Sequence, residues 1–448
     1  MKGIRRFFFT NQTTGQTVAK NTIWLFVGEI GSRLLKMLVF IYAARKLGVS
    51  EWGLFSYVLA LIGLVFTLSD IGINSVITRE VSRKDMNESH YISTSFFLKI
   101  ILSFAGSFAV LVLFFLKSPG MIKNLLPLGA IMLFLDSMRE FGFALNRAFQ
   151  RMEVEAITKI ASNSVLVVVM LLLTRKSTSA SSLLLAYIIA GVVGIAIMTF
   201  DIRGHFVSIF SNFKKNLLWH IFKEAWPIAI ISIFGTVLAN IDTIILGLFR
   251  NFEEVGFYSA AQRPIQIVYL IPGLISTALL PVFSRLVSQE KNEMKTVLGR
   301  SITLGILISL PIVTGGLILG TGIITLVLGH SYVNSIGIFK IMLTPILVSI
   351  PGTIISGALF AAGKQKKILQ SIIFGAITNV IFCLVLIPKF GMYGAAISTT
   401  LSQLLYNISL IIWAQHTPSL KFEFAFGKIL SASLVMAIAV LLSEYYLG

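Results

Sequence analysis

Glu29, Arg33 and Lys36 stand four and three residues apart inside one apolar run, residues 20–44. On a helix that spacing stacks all three on one face. The run is long enough to span a bilayer, which takes about 20 apolar residues. An ionised group at bilayer depth costs roughly 2.5–3.5 kcal/mol on insertion scales, so this face must look into protein or water. What it can do there is electrostatic: hold a charged group where lipid would reject one. Other apolar runs carry side chains of the same kind: Asp70 with Asn74, Lys99, the set Asp136, Arg139 and Glu140, Asp242 with Asn240, Arg263 with Gln262 and Gln266, and Lys340.

Part of this set is spaced for mutual neutralisation, Glu29 with Arg33 and Asp136 or Glu140 with Arg139. Lys340 sits near the outer end of its run and has the reach to snorkel. Arg33 and Arg263 lie away from helix ends, and Arg263 has no acidic residue within four positions. The residues expected to contact a substrate are therefore Arg33, Lys36, Lys99, Arg139, Arg263 and Gln266. Glu29, Asp70, Asp136, Glu140 and Asp242 are expected to form ion pairs or to couple transport to an ion. The six cations (with Lys340) against five anions make the set amphoteric with a slight positive excess. That permits an anionic ligand without requiring one.

These runs belong to a chain of 448 residues that is 56% hydrophobic and 12% charged, with mean hydropathy +0.88. Soluble domains carry about 25% charged residues, so the composition predicts an all-α polytopic membrane protein. Thirteen apolar stretches fall near 20–44, 52–78, 90–116, 121–146, 156–174, 181–200, 222–248, 255–284, 296–328, 334–362, 368–387, 391–414 and 428–447. The formal charge of +18 follows their topology: with the N-terminus inside, 23 Lys and Arg fall on the inner side and 8 on the outer. The basic character thus speaks for a multi-pass protein of the cytoplasmic membrane with a cytoplasmic N-terminus, and against a nucleic-acid partner.

Internal repetition sets the domain plan. The longest polar connection, near 201–223, separates two similar halves. Glu51-Trp52-Gly53-Leu54-Phe55-Ser56 follows the first stretch, and Glu254-Val255-Gly256-Phe257-Tyr258-Ser259 follows the seventh; Asn163 of the fifth is echoed by Asn379 of the eleventh. Six helices per half bring both halves in from the same face, which predicts parallel, pseudo-symmetric six-helix lobes over 1–205 and 206–415, with an additional helix in 416–448. Proline is uneven: Pro119 and Pro127 precede the seam and nine follow it, three of them (Pro264, Pro272, Pro281) in the eighth stretch, which is expected to bend near Pro264 or Pro272.

Signatures of covalent chemistry are missing. The five histidines are isolated in or beside loops, the single cysteine (Cys383) lies in an apolar run, and no Walker-type nucleotide loop is present. The short loops leave no room for a soluble catalytic domain. The expectation is a membrane protein without catalytic residues, metal or cofactor.

Several stretches resemble a known family. Lys20-Asn21-Thr22 with Trp24-Leu25, Tyr42-Ala43-Ala44-Arg45 with Leu47-Gly48, Trp52 to Ser56, Asp70 with Gly72 and Asn74, Arg79-Glu80, Phe257 to Ala261 and Ala361-Ala362-Gly363-Lys364 are similar to the polysaccharide-exporter (Wzx-type) branch of the superfamily that includes MATE multidrug transporters and lipid II flippases. The resemblance implies two six-helix lobes in a V, alternating access, and translocation of a polyprenyl-pyrophosphate-linked oligosaccharide for O-antigen or other surface polysaccharide. It also implies cationic side chains near the pyrophosphate, for which Arg33 and Arg263 are the expected ones, membrane lipid as a partner, and association with glycan polymerases or glycosyltransferases. The coupling ion is open between H⁺ and Na⁺. Members have twelve or fourteen helices, so thirteen stretches mean either a missing fourteenth helix or a peripheral thirteenth. The alternative is a cation-coupled exporter of the MATE type, against which Arg33 and Lys36 argue, since such exporters would present carboxylates to organic cations.

The topology is testable with single cysteines. Cysteines placed at Arg83, Arg151, Lys214, Lys291 and Lys366 should react with an impermeant maleimide in inside-out vesicles and stay unreactive in intact cells; labelling of two or more from outside would overturn the inner-side assignment.

Overall fold

A computed structural model describes residues 10–11, 13–83, 88–117, 122, 124–175, 177–203, 210–289 and 291–420. The described residues form α1 (Thr14–Leu47), α2 (Val49–Asp70), α3 (Ile73–Ser82), α4 (Glu88–Lys117), α5 (Leu126–Ala148), α6 (Met152–Leu173), α7 (Ala180–Ile202), α8 (Lys215–Phe249), α9 (Phe252–Val268), α10 (Leu270–Gln289), α11 (Lys291–Leu328), α12 (Ser335–Leu343), α13 (Ile346–Ala361) and α14 (Gln365–Gln415), with short 3₁₀ turns at His330–Tyr332 and Pro418–Leu420. Eight helices are long and apolar enough to cross a membrane, and α12 with α13, bent by 41°, makes a ninth. The charges on α1 and α5 lower their apolarity, although both are of spanning length. Each of the first twelve apolar stretches falls on helix. The thirteenth, 428–447, and the basic residues Lys2, Arg5 and Arg6 lie outside the described residues.

Residues up to Thr236 form one compact unit and those from Val237 form a second, so the division falls inside α8 and not in the polar connection at 201–223. The reason is visible in the core of the first unit. Ile221 and Ala225, on the first half of α8, pack among Ile73, Val76, Ile77, Phe141 and Leu145. Elsewhere in this unit α1 lies along α6, α6 on α7, and α5 on α4 and α7. The second unit has its own core, in which Phe283, Leu298, Ile354, Leu359 and Leu410 join α10, α11, α13 and α14.

Four helix interruptions shape the spans. Between α2 and α3, Ile71 and Gly72 are both left-handed (φ 45° and 74°), an uncommon state for a β-branched residue. A Cβ at Gly72 would lie 2.8 Å from the Ala225 carbonyl oxygen, so this close approach requires glycine. In the second unit α9 stops before Tyr269, three residues short of Pro272, whose missing N–H leaves the Val268 carbonyl without its helical partner. Pro264 sits inside α9 without breaking it. The α12–α13 bend falls at Thr344-Pro345, and α14 turns at Gly391 (φ 56°). At 51 residues α14 would be about 75 Å long if straight, more than twice a bilayer's hydrocarbon core, so it supplies two spans.

The repeated Glu-x-Gly motif has the same structural job in each unit. The Glu51 carboxylate accepts a hydrogen bond from the Ala180 amide (2.7 Å), the first residue of α7. Glu254 accepts from the Met392 amide (2.8 Å), the first residue after the turn in α14. Each carboxylate therefore satisfies an orphan N–H at the positive end of its unit's sixth span. The asparagine echo is looser: Asn163 donates to its own helix at Lys159 O (2.7 Å), whereas Asn379 reaches Leu238 O on α8 (3.4 Å).

Charge-assisted hydrogen bonds are worth about 1.5–3 kcal/mol. Glu51→Ala and Glu254→Ala should each lower the thermal stability of the detergent-solubilised protein by a difference in that range, with Gln substitutions losing less. Unchanged melting of both Ala variants would refute the capping role.

Candidate functional site

The polar face of α1 is brought to α6 by small residues. A Cβ at Gly28 would lie 2.7 Å from Ala156 Cα, so the helices approach as closely as backbones can. One residue on, Glu29 meets two cations: Arg33 Nε at 2.6 Å along its own helix and Lys159 Nζ at 3.3 Å from α6. Lys159 also pairs with Glu155 (2.9 Å), a wholly buried carboxylate that Arg147 of α5 grips in two bonds of 2.8 and 2.5 Å. Arg33, Glu29, Lys159, Glu155 and Arg147 thus form one continuous chain of ion pairs across three helices.

The upper part of α5 completes the cluster. Arg139 pairs with Asp136 (2.7 Å), and its guanidinium and the Lys159 ammonium both stand over the Phe143 ring, at 6.0 and 5.5 Å. Gly194 of α7 leaves room for Arg139: a Cβ there would meet its Cδ at 2.9 Å. Lys36 is exposed, and among the described residues neither it nor Glu140 has an opposite charge within 4.0 Å. In total Arg33, Lys36, Arg139, Arg147 and Lys159 face Glu29, Asp136, Glu140 and Glu155, an excess of one cation. Arg33 is 45% exposed and Lys36 is also exposed, so these two cations are open to a ligand.

Lys99 and Asp70 are placed elsewhere in the first unit. Lys99 is fully buried and its ammonium is bound by Asp70, with the Phe66 ring 5.5 Å away. This pair ties α4 to the end of α2 beside the Ile71-Gly72 break, a structural position for two residues expected to line a site.

The second unit holds a different chemistry. Asp242 is fully buried on α8, and its carboxyl accepts from the Tyr258 hydroxyl, the Thr399 hydroxyl (2.8 Å) and the Thr243 amide (2.6 Å). Among the described residues no cation lies within 4.0 Å of it. A lone carboxylate in such a place is expensive unless neutralised, so the arrangement can take up a proton or a small cation. Arg263 on α9 is half-buried and donates to Gln266 Oε1 (3.3 Å), so these two predicted residues do come together. Lys340, at the end of α12, has its Cε against the position a Gly320 Cβ would occupy (3.4 Å).

Sequence reasoning overlooked Glu155 and Lys159. Their i, i+4 spacing is readable, but Glu155 precedes the fifth stretch and Lys159 stands only three residues into it, at the end that reads as a basic cytoplasmic turn. Tyr258 and Thr399 were also missed, because hydroxyls carry no signal in sequence until a fold brings them to Asp242.

The fold and the charges on its apolar helices define an all-α, multi-span membrane protein. Its helices superpose on the lipid II flippase MurJ in an inward closed conformation with a TM-score of 0.75 at 17% identity, covering 94% of this chain and 93% of that one. An inward-facing multidrug resistance MATE family transporter gives 0.72 at 14% identity, over 89% and 98% of the two chains. At these identities the likeness shows the fold alone. The sequence itself belongs to the polysaccharide biosynthesis protein family, which it matches over residues 18–287, and the MatE family also matches, over 227–385. Relatives include a Shigella flexneri protein named as an O-antigen transporter, 24% identical over 89% of this chain and 97% of that one. A Staphylococcus aureus capsular polysaccharide biosynthesis protein, CapF, is 25% identical (88% and 98%), and a Haloferax volcanii protein named as a low-salt glycan biosynthesis flippase is 24% identical (94% and 88%).

The cluster predicts unequal substitution effects. Glu155→Ala leaves Arg147 and Lys159 without their shared buried carboxylate and should cost about 3 kcal/mol of stability, as breaking a buried pair does. Arg33→Ala removes one exposed partner of Glu29 and should cost no more than about 1 kcal/mol. Detergent melting curves of the two variants separate these outcomes; equal losses would contradict the graded burial of the network.

Proposed function

We propose that this protein is a flippase that carries a polyprenyl-pyrophosphate-linked oligosaccharide across the cytoplasmic membrane for assembly of a surface polysaccharide. The observation that carries the reading is the cationic excess on α1, α5 and α6, held at membrane depth by a network that spends most of its charge internally and leaves Arg33 and Lys36 open. A guanidinium offers a planar fork suited to phosphate oxygens. The pyrophosphate and sugars would pass along this polar surface while the prenyl chain stays in lipid. Relatives named as glycan flippases and O-antigen transporters support the same substrate class.

The two six-helix lobes, expected from the sequence over 1–205 and 206–415 although the compact units divide inside α8, would exchange access to the two sides of the membrane, with the N-terminus cytoplasmic. Arg263 with Gln266 would supply the second lobe's contacts to the substrate. Asp242, buried among hydroxyl donors, would be the coupling group, taking H⁺ or Na⁺. No covalent step is required, so the protein would act as a transporter and not as an enzyme, beside the glycosyltransferases or polymerases that make and use its cargo. The MatE match over 227–385 supports one second reading, a cation-coupled exporter of small organic cations.

Glycan export in a flippase-null cell, read beside membrane expression, tests the assignment. Arg33→Ala and Arg263→Ala should each abolish export with the protein still inserted, and the Lys substitutions should restore it in part. Normal export by the Arg33→Ala, Arg263→Ala double variant would sink the anion site. Gain of drug resistance without any effect on glycan would favour the exporter.

A further inference from the structure

A cavity of about 610 Å³, with a mixed polar and apolar lining, opens where α1 begins. It is lined by Thr13, Thr17, Asn21, Thr78, Arg147 and Gln150, within the range of about 300–1,000 Å³ typical of small-molecule sites. Its floor is built. Lys20, 1% exposed, donates to Glu153 Oε2 at 2.9 Å and to the Gln150 carbonyl at 3.4 Å, and Asn11 Nδ2 donates to the same carbonyl at 3.4 Å. These bonds pin the α5–α6 turn to the start of α1, and Gln150 holds a left-handed backbone (φ 57°) at that point. Left-handed glutamine is uncommon and is kept where surrounding contacts impose it.

The chemistry of the wall is specific. Thr17 and Asn21, one helical turn apart and each 7% exposed, both line the cavity. The Asn21 amide oxygen is buried and has no hydrogen-bond partner among the described residues. An unsatisfied buried acceptor costs about 1–3 kcal/mol, so it calls for a donor that none of the described residues supplies. Among the described residues the cavity's one charged group is Arg147, which already spends two hydrogen bonds on Glu155. What is left is a nearly neutral surface of hydroxyls and carboxamides beside the apolar Val18, Leu25 and Met152.

That composition suits a sugar ring better than a phosphate. Sugar hydroxyls both donate and accept, so they satisfy Asn21 whichever way its amide is turned, and the ring's C–H face can lie on the apolar residues. A phosphate would need an uncompensated cation and a set of donors. We propose that this cavity binds a sugar residue of the lipid-linked substrate, a glycan subsite distinct from the charged face of α1 and separated from it along the same helix. The inference rests on the flippase reading and adds to it which part of the substrate the N-terminal end of α1 recognises.

The test uses the full chain in liposomes, in a Cys383→Ala background, with Thr22→Cys as a reporter on the cavity wall. Two probes are compared: a polyprenyl-pyrophosphoryl N-acetylhexosamine and polyprenyl pyrophosphate without sugar. The sugar-bearing lipid should slow maleimide labelling of the reporter several-fold and the bare lipid should not. Asn21→Ala, and independently Thr17→Val, should raise the half-protecting concentration roughly 3- to 10-fold, the worth of about one neutral hydrogen bond. Equal protection by both lipids would overturn the sugar assignment in favour of the pyrophosphate. Translocation of the sugar-bearing lipid in the same liposomes with no protection would overturn the subsite and leave the flippase standing. Neither protection nor translocation would overturn both.

Discussion

An ionised side chain inside a bilayer must find a partner, and that requirement governs the first unit. Glu29, Glu155, Arg147 and Lys159 neutralise one another across α1, α5 and α6. The pairing is possible because Gly28 and Ala156 let two helix backbones touch. A larger residue at Gly28 would have no room against Ala156 and would force α1 from α6, lengthening the Glu29–Lys159 pair. The packing and the electrostatics are therefore one constraint: the small residues exist on the same stretch as the charges because the charges need the distance they allow. Arg33 is the beneficiary. With Glu29 held by Lys159, its guanidinium can stay near half exposure without leaving a carboxylate stranded.

The same requirement is met differently where helices end. A helix that begins within protein exposes amide groups, and lipid offers them nothing. Glu51 and Glu254 close two such ends, at Ala180 and Met392. This gives the repeated motif a physical meaning that its sequence leaves undetermined. The glutamate caps, and the glycine two residues later lies in a buried stretch of helix that packs tightly in each unit. Gly391 fits the same logic, since a Cβ there would strike the Glu254 carboxylate at 2.1 Å.

Legibility from sequence followed the physics of each signal. Apolar runs located the first twelve spans because hydropathy alone decides insertion. The pairing of Glu29 with Arg33 and of Asp136 with Arg139 was visible because both lie on one helix at fixed spacing. Long-range partners were not visible: Lys99 was expected to face a ligand and instead binds Asp70, 29 residues away, because only tertiary packing brings α4 to the end of α2. Proline marked the interruption before Pro272 and the bend at Pro345, yet Pro264, Pro227 and Pro311 lie inside continuous helices. The Ile71-Gly72 break has no proline at all. A missing N–H weakens a helix; whether it breaks depends on what neighbours supply to the freed carbonyl.

The two units answer the problem of buried charge in opposite ways, and this difference has functional weight. In the first, Glu155, Glu29 and Asp136 each have a fixed cation, so their protonation would have to break ion pairs. In the second, Asp242 is surrounded by the hydroxyls of Tyr258 and Thr399, which can turn from donor to acceptor at little cost. Its charge can change without rupturing a salt bridge. Under the proposed flippase reading, the ion-paired surface would serve the substrate's fixed charge, and the carboxyl in its hydroxyl cage would be the group that gains and loses an ion in each cycle. The division of labour follows from the partners each carboxylate has been given: guanidinium and ammonium on one side, hydroxyl on the other.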